Sequence, residues 1–235
     1  MNTEAAPSES FEFEALQVAV NYREAIFQEM QPYLGPRILE VGAGIGQFSR
    51  VLLKNRPQAE LTALEPDGDF FAQLSALKSK CTVLHGETSM LAGDFQADTV
   101  INVNVLEHIE DHIGELSRYR RILQERNGAL CLFVPARQEL YAPLDRDFGH
   151  FRRYSKTSML QALAAAGLAA ERMHYFNFPG YFLWWLNFKA MKTRKFSIKN
   201  VKAFDRFCLP VIHYIESNII RPPLGQSLLA IARPE

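Results

Sequence analysis

The chain has 235 residues, of which 48% are hydrophobic and 22% are charged, and this composition excludes a disordered protein. Its 26 basic and 26 acidic residues cancel, which argues against nucleic-acid binding through overall basicity. The three cysteines form no C-x-x-C pair, so neither a zinc knuckle nor a disulfide framework is indicated and no metal site is predicted. The sequence shows no secretory signal pattern and no apolar run long enough to span a membrane. Together with the cysteine pattern, this predicts a reducing, cytoplasmic compartment.

The first half of the chain alternates helical and extended patterns. Residues 1–14 are expected to form a loose tail, and apolar spacing predicts a helix from residue 15 to 34 that Gly35 and Pro36 end. Asp67 is a predicted N-cap for a later helix. The next segments are predicted as strands over 37–41 and 61–64 and helices over 48–55 and 68–78.

The same alternation continues to a tail of different character. Strands are predicted over 82–85, 98–103, 129–134, 168–176 and 227–232, and helices over 112–124 and 157–166. Repeated strand–helix alternation with near-continuous apolar strands predicts an α/β fold, a doubly wound, seven-stranded, mostly parallel sheet with helices on both faces. The predicted division is a core over 15–174, a helical insertion over 175–221 and a final core strand within 222–235.

A glycine-rich turn follows the first predicted strand. Gly42, Gly44 and Gly46 lie where an open α/β sheet binds ligands, and glycine permits positive φ and close approach of a ligand to the backbone. Glu65 ends the second strand, 21 residues after Gly44, where a carboxylate can accept hydrogen bonds from a ribose diol. The pair predicts a nucleoside site, although glycines after a strand are also common turn residues that bind nothing.

The exact pattern separates two kinds of nucleoside ligand. The G-x-G-x-x-G dinucleotide fingerprint requires glycine at position 47, which is Gln47. The stretch Glu40-Val-Gly42-Ala-Gly44-Ile-Gly46 instead resembles the E-x-G-x-G-x-G motif of class I S-adenosylmethionine-dependent methyltransferases, and Asn104-Val-Leu-Glu-His108-Ile resembles their fourth-strand motif. The resemblance covers about residues 15–170 and the last strand.

The resemblance implies S-adenosylmethionine as cofactor and a role for each matching residue. The glycines would cradle its methionine part, Glu65 would hold the ribose hydroxyls, and Glu87, in a looser match, would contact the adenine. Tyr22 would fold over the carboxylate end, unless it is a core aromatic, and His108 is expected mainly to shape a turn. The implied cofactor residues are Tyr22, Glu40, Gly42, Gly44, Gly46, Glu65, Pro66, Glu87, Asn104, Val105 and His108.

The long segment after the fifth strand carries the predicted catalytic residues, His150 and Tyr154. A hydroxyl acceptor benefits from a general base, and His150 is the candidate. Tyr141, Arg152 and Arg153 are predicted to bind the acceptor, the arginines through an anionic group. The alternative is a self-contained loop in which Asp145 or Asp147 pairs with one of the two arginines.

The insertion is the second unusual segment. Residues 175–188 hold eight aromatics, and residues 189–206 hold seven basic residues and one acidic residue. It is interpreted as a substrate lid in which Tyr181 and Trp184 bind the acceptor, as a peripheral membrane contact through 175–206, or as plain packing in a monomer or homodimer.

The favoured function is methyl transfer to a small-molecule acceptor, such as a sugar, a lipid-linked compound or an anionic metabolite. The alternatives are a nicotinamide-dependent oxidoreductase and a non-catalytic binding module of the same fold. Nucleic acid is not an expected partner, because Asn104 is followed by Val-Leu-Glu instead of the Pro-Pro-aromatic run of the amino-methylating branch.

Overall fold

The computed structural model describes residues 17–191, 193 and 197–235 of the chain. The predicted tail and the first residues of the predicted first helix lie outside them. The strands are β1 (Arg37–Val41), β2 (Glu60–Glu65), β3 (Thr82–His85), β4 (Thr99–Val103), β5 (Ala129–Pro135), β6 (Leu168–Phe176) and β7 (Ser227–Pro234).

All seven strands form one sheet in the order β3-β2-β1-β4-β5-β7-β6. The first five strands pair in parallel, and β7 runs antiparallel to both β5 and β6. The prediction of a mostly parallel, doubly wound sheet is confirmed. The strand order reverses between β1 and β4, so the crevice at their carboxyl ends is where this architecture binds ligands.

Nine named α-helices accompany the sheet in the described part of the chain. They are α1 (Val20–Met30), α2 (Gln47–Asn55), α3 (Gly68–Leu74), α4 (His112–Gln124), α5 (Pro143–Asp147), α6 (Lys156–Ala165), α7 (Phe178–Trp184), α8 (Ile198–Ala203) and α9 (Leu209–Asn218). Asp67 caps α3 as predicted, since its carboxylate accepts the backbone N–H groups of Asp69 and Phe70. Helix α3 is shorter than predicted and continues as a 3-10 turn over Ser75–Leu77.

Both faces of the sheet are buried, and β5 shows why its sequence is apolar throughout. Leu130 and Leu132 join one core cluster, which includes residues of α4 and α6. Cys131 and Phe133 point to the opposite cluster, which includes residues of α1 and α2. Alternate residues of a strand face opposite sides, so a strand covered on both sides favours apolar side chains at every position.

The segment between β6 and β7 is mainly helical. Helix α7 continues as a π-helix over Trp185–Ala190, and a second π-helix, Phe204–Cys208, joins α8 to α9. No helix in the described ranges is long and apolar enough to cross a membrane. The division into core, insertion and final strand remains a prediction.

Two buried carboxylates connect this segment to the helices around it. Helix α1 has Ala19 at its N-cap, which offers no side-chain acceptor. Asp205 supplies the acceptor, because its carboxylate oxygens lie 3.0 and 2.8 Å from the backbone nitrogens of Asn21 and Tyr22. Glu216 of α9 accepts the N–H groups of Asn177 and Phe178 at the start of α7 in the same way. A negative charge at these positions satisfies unpaired donors and interacts favourably with the helix dipole.

Replacing Asp205 by Asn should therefore destabilise the protein by about 1.5–3 kcal/mol, the usual range for hydrogen bonds to a charged group. Urea denaturation would measure the loss, with Asp94→Asn at an exposed acidic position as control. Equal stability of the two variants would contradict this role of Asp205.

Candidate active site

The turn after β1 has a backbone that only glycine adopts without strain. Gly42, Gly44 and Gly46 have φ angles of 68°, 55° and 79°. A Cβ atom on Gly42 would lie 2.4 Å from Cγ2 of Val105, the residue that follows Asn104 after β4. The turn is therefore packed directly against the end of β4, and a side chain at Gly42 would displace it.

Glu65 fastens this turn to the end of β2. Its carboxylate is 5% exposed and accepts the N–H of Gly44 at 2.7 Å and that of Asp67 at 2.9 Å. Burial raises the pKa of Glu65, and the two backbone hydrogen bonds oppose that rise. A carboxylate has about four acceptor positions, so these two bonds leave capacity for a ligand hydroxyl.

Glu40 lies in β1, two residues before Gly42 of the turn. The hydroxyl of Ser49 in α2 donates to its carboxylate at 2.6 Å. Burial raises the pKa of Glu40 to about 8, with the Ser49 hydrogen bond lowering it and the charge of Glu65 raising it further. In this structure Glu40 joins β1 to α2, and its cofactor-binding role stays a prediction.

Pro66 and Glu87 lie at the same edge of the sheet, after β2 and β3. Both are exposed, and the backbone N–H of Gly86 donates to the carbonyl of Glu65 at 3.0 Å, which sets the two turns side by side. The carboxylate of Glu87 accepts only a long hydrogen bond from Ser89, at 3.4 Å, among the contacts described. This leaves Glu87 accessible from the crevice edge where an adenine contact is predicted.

A cavity of about 450 Å³ lies between the carboxyl ends of the strands, the long segment after β5 and the helices between β6 and β7. Five of the predicted site residues line it: Tyr22, Asn104, His150, Arg153 and Trp184. The predicted acceptor-site residues Tyr141, Arg152, Tyr154 and Tyr181 are not among its lining residues. The other predicted cofactor residues do not line it either: Glu40, Gly42, Gly44, Gly46, Glu65, Pro66, Glu87, Val105 and His108. The structure therefore brings together His150 and only one of the two predicted arginines.

Asp145 organises the part of the site that contains His150. It is fully buried and accepts hydrogen bonds from Nδ1 of His150 at 3.0 Å, Nε of Arg153 at 2.7 Å and the N–H of Ala142 at 2.8 Å. Burial by itself would raise the pKa of Asp145, but the His150 hydrogen bond and the Arg153 charge make the net shift downward. The Asp145 carboxylate can only accept, so Nδ1–H of His150 donates this hydrogen bond, and Nε2 is the ring nitrogen left as acceptor in the neutral imidazole.

That Nε2 atom is buried and has no hydrogen-bond partner among the described residues. Buried polar atoms are rarely left unpaired, and His150 is one of the residues that line the cavity, so this histidine marks a candidate position for a ligand. The ring of His108 lies 4.6 Å from that of His150, edge to face. Burial lowers the pKa of His108 to about 4, and the neighbouring His150 is a second, smaller cause of this shift. His108 is therefore neutral at neutral pH.

Glu107 completes a small group with the two histidines. One ligand atom from each of Glu107, His108 and His150 lies within 4.8 Å of the others, close enough for the three to share a metal ion. The sequence predicts no metal, and that prediction stays open to direct measurement.

The remaining predicted residues support the segment instead of lining the cavity. The Tyr141 hydroxyl donates to the carbonyl of His150 at 2.6 Å, and Tyr154 places its hydroxyl 2.9 Å from Nδ1 of His112. Arg152 donates to the carbonyls of Ile109 and Glu110. The Tyr181 hydroxyl points to Glu139 at 3.4 Å. Their catalytic and acceptor-binding roles remain predictions.

Sequence reasoning missed the polar residues that the far strands contribute to the cavity. Asn177 follows β6 with a φ of 61°, and its amide donates to Gln226 at 2.9 Å. Ser227 begins β7 and shares a 3.0 Å hydrogen bond with the hydroxyl of Tyr22. Asparagine tolerates the left-handed conformation, and its place just before Phe-Pro-Gly was the one available signal of a special turn.

Comparison with known proteins shows the family. Residues 15–172, more than half of the chain, match the model of the methyltransferase domain. The chain belongs to the methyltransferase domain family. Its cofactor is S-adenosylmethionine, and the prediction of a class I enzyme that depends on it is confirmed. The same match decides against the nicotinamide-dependent alternative.

Individual relatives agree with this family. This chain is 28% identical over 124 residues to a ubiquinone biosynthesis O-methyltransferase from Dinoroseobacter shibae. The aligned region covers 49% of this chain and 47% of that protein. The chain thus spans about half the length of the curated relative it matches.

Two solved structures share the fold. A S-adenosylmethionine-dependent methyltransferase from Archaeoglobus fulgidus is 18% identical with a TM-score of 0.62, covering 95% of this chain and 99% of the other. A glycopeptide N-methyltransferase complexed with S-adenosylmethionine is 14% identical with a TM-score of 0.58, covering 91% and 87%.

Substitution of Gly42 by Ala tests the cradle. The residue would occupy a left-handed backbone and push against Val105, so we expect a loss of roughly 1–3 kcal/mol in stability together with weaker binding of S-adenosylhomocysteine. Calorimetric titration and urea denaturation would measure both. Gly68→Ala is the matched control, because no atom lies within 4 Å of the added Cβ atom there. Unchanged affinity in Gly42→Ala would contradict the assignment.

Proposed function

We propose that this methyltransferase methylates a hydroxyl oxygen of a small molecule bound in the 450 Å³ cavity, with His150 as general base. The observation that carries the proposal is His150 among the residues that line the cavity, with Nδ1 held by the buried Asp145 and with an Nε2 that has no hydrogen-bond partner among the described residues. The O-methyltransferase named among the relatives supports oxygen as the acceptor atom.

The donor side of the proposal rests on the turn after β1. Gly42 and Gly44 would admit the cofactor to the backbone, and Glu65 would accept its ribose hydroxyls. The fit is supported by the left-handed glycine backbone at Gly42 and Gly44 and by the unused acceptor capacity of Glu65. When bound, S-adenosylmethionine supplies a sulfonium methyl group, whose carbon–sulfur bond breaks as the carbon–oxygen bond forms.

His150 would take the proton of the acceptor hydroxyl on Nε2. Asp145 keeps the ring in one orientation and stabilises the imidazolium that results, as a buried carboxylate does in other histidine-based sites. Arg153, over the ring of Trp184 at 4.3 Å, keeps Asp145 ionised. Asp145 and Arg153 are therefore positioning residues in this proposal.

The cavity walls indicate the kind of acceptor. Phe148, Leu183, Trp184 and Phe188 supply apolar surface, whereas a few polar groups, Asn104 and Asn177 among them, are placed around it. A cavity of this volume falls within the usual range for small ligands, roughly 300–1,000 Å³. The proposed acceptor is therefore a largely apolar molecule with a hydroxyl group, not a polymer.

The role of Glu65 is tested by Glu65→Gln. The variant keeps the shape but loses the charge that accepts hydroxyl and backbone hydrogen bonds, so affinity for S-adenosylhomocysteine should fall by about 10- to 100-fold. Calorimetry gives the affinity, and Glu60→Gln, an exposed position on the same strand, is the control. An affinity equal to that of the parent protein would rule out ribose binding by Glu65.

The role of His150 is tested by His150→Gln. Loss of a general base should lower kcat by about 10²- to 10⁴-fold, while the affinity for S-adenosylhomocysteine stays unchanged. Turnover is followed as labelled methyl transferred to acceptors in a cell extract and as S-adenosylhomocysteine formed. His213→Gln changes a histidine outside this cavity and serves as control.

The outcomes separate the competing functions. Full turnover in His150→Gln would remove His150 as the base but leave methyl transfer intact. Tight donor binding without labelled product from any acceptor would favour the non-catalytic module.

A further inference from the structure

The helices between β6 and β7 expose an unusual amount of apolar surface. We define the insertion face as the exposed large hydrophobic side chains of these helices. They are Phe178, Phe182, Leu183, Trp185, Leu186, Met191, Phe207, Val211, Tyr214, Ile215, Ile219 and Ile220, each 37–69% exposed. Single exposed hydrophobic residues need no explanation, but a dense group of them marks an interaction site.

These side chains form helical stripes that point away from the protein. On α7 and its π-helical continuation, Phe178, Phe182 and Trp185 are exposed, whereas Trp184 and Phe188 on the other side are buried in the cavity wall. The helix thus buries one apolar side and exposes a second one.

Helix α9 and the π-helix before it repeat this arrangement. Phe207, Val211 and Tyr214 are exposed at helical spacing, whereas Asp205 and Leu209 face the protein. Two separate helical segments therefore carry an apolar stripe that the described part of the chain leaves uncovered.

The charges on the same segment have one sign. The only acidic residues between positions 177 and 226 are Asp205 and Glu216, and both are buried against the backbone N–H groups that they accept. The exposed charged residues described on this segment are all basic: Lys189, Lys199, Lys202, Arg206 and Arg221, of which Arg221 is paired with Glu29 of α1. The segment that carries the insertion face therefore combines exposed aromatic and aliphatic side chains with exposed charges of positive sign only.

We propose that the insertion face binds the surface of an anionic lipid bilayer. Aromatic and aliphatic side chains enter the interface between head groups and acyl chains, and lysine and arginine are attracted to anionic head groups. A second copy of the chain fits less well, because a two-fold contact would place identical basic surfaces against each other.

Docking in this way would bring the cavity to the membrane. Leu183, Ser197 and Asn200 line the cavity and are also exposed, so the mouth of the cavity lies on the segment that carries the insertion face. An acceptor dissolved in the bilayer would then enter without crossing water. This last step rests on the proposed function, whereas bilayer binding itself does not.

Vesicle binding tests the proposal without donor or acceptor. The protein is mixed with phosphatidylcholine vesicles, with and without phosphatidylglycerol, and bound protein is separated by flotation. A Trp184→Phe variant leaves the half-exposed Trp185 as the sole tryptophan, whose emission should shift to shorter wavelength on binding. Binding should require the anionic lipid and weaken as salt is added.

Matched variants distinguish the two contributions. Phe207→Ser with Val211→Ser should lower vesicle affinity by at least about tenfold, whereas Leu160→Ser, an exposed apolar position on α6, should not. Lys199→Glu with Lys202→Glu should lower it similarly, and Lys80→Glu should not.

Other results would overturn the proposal. These are no binding to anionic vesicles, equal binding to neutral ones, or a dimer in lipid-free solution that the Phe207 and Val211 substitutions dissociate. S-adenosylhomocysteine affinity, measured on the same preparations, reports separately on the donor site, so failure of one proposal is distinguishable from failure of the other.

Discussion

The hydrogen bond from the N–H of Gly44 to Glu65 joins the turn after β1 to the end of β2, and the candidate cofactor site depends on this connection. The N–H groups of Gly42 and Gly46 in the turn after β1 already donate to backbone carbonyls, and Glu65 supplies the acceptor for the N–H of Gly44 between them. Glu65 holds it from the neighbouring strand and also fixes the turn that begins at Asp67. Because one carboxylate fixes both turns, the backbone of Gly42 and Gly44 and an acceptor for hydroxyl groups are presented together.

Buried carboxylates repeat this role elsewhere in the molecule. Asp145 orders the segment after β5, Asp205 binds the start of α1, and Glu216 binds the start of α7. In each case a desolvated carboxylate accepts two or more hydrogen bonds, which is the condition under which a buried charge is tolerated. Core packing sets the sheet, and these carboxylates set the loops and helices at its edge.

The sequence predicted the parts of this arrangement that depend on local patterns. The apolar run of β5, the glycine turn and Asp67 as a cap are determined by neighbours within a few residues, so their conformation can be inferred from spacing. The cofactor crevice followed from the same logic, because parallel strands bring their carboxyl ends to one edge.

Long-range choices between similar residues could not be predicted in this way. Arg152 and Arg153 are adjacent and chemically identical, yet only Arg153 reaches Asp145, while Arg152 binds the carbonyls of Ile109 and Glu110. The contact of Asp205 with α1 joins residues more than 180 positions apart, and no local pattern indicates it. The sequence showed the aromatic and basic composition of the insertion. It did not show which side of each helix is buried, because that depends on how the helices pack onto the rest of the protein.

These long-range contacts connect the segment between β6 and β7 to the candidate site. Asp205 fixes the first turn of α1, and that turn carries Tyr22, whose hydroxyl meets Ser227 at the cavity wall. The segment that exposes the apolar and basic face therefore also sets the position of a residue predicted to contact the donor. Any force on the insertion face, such as attachment to a bilayer, would reach α1 through the Asp205 carboxylate and also through Glu29, which accepts hydrogen bonds from Ser217 and Arg221.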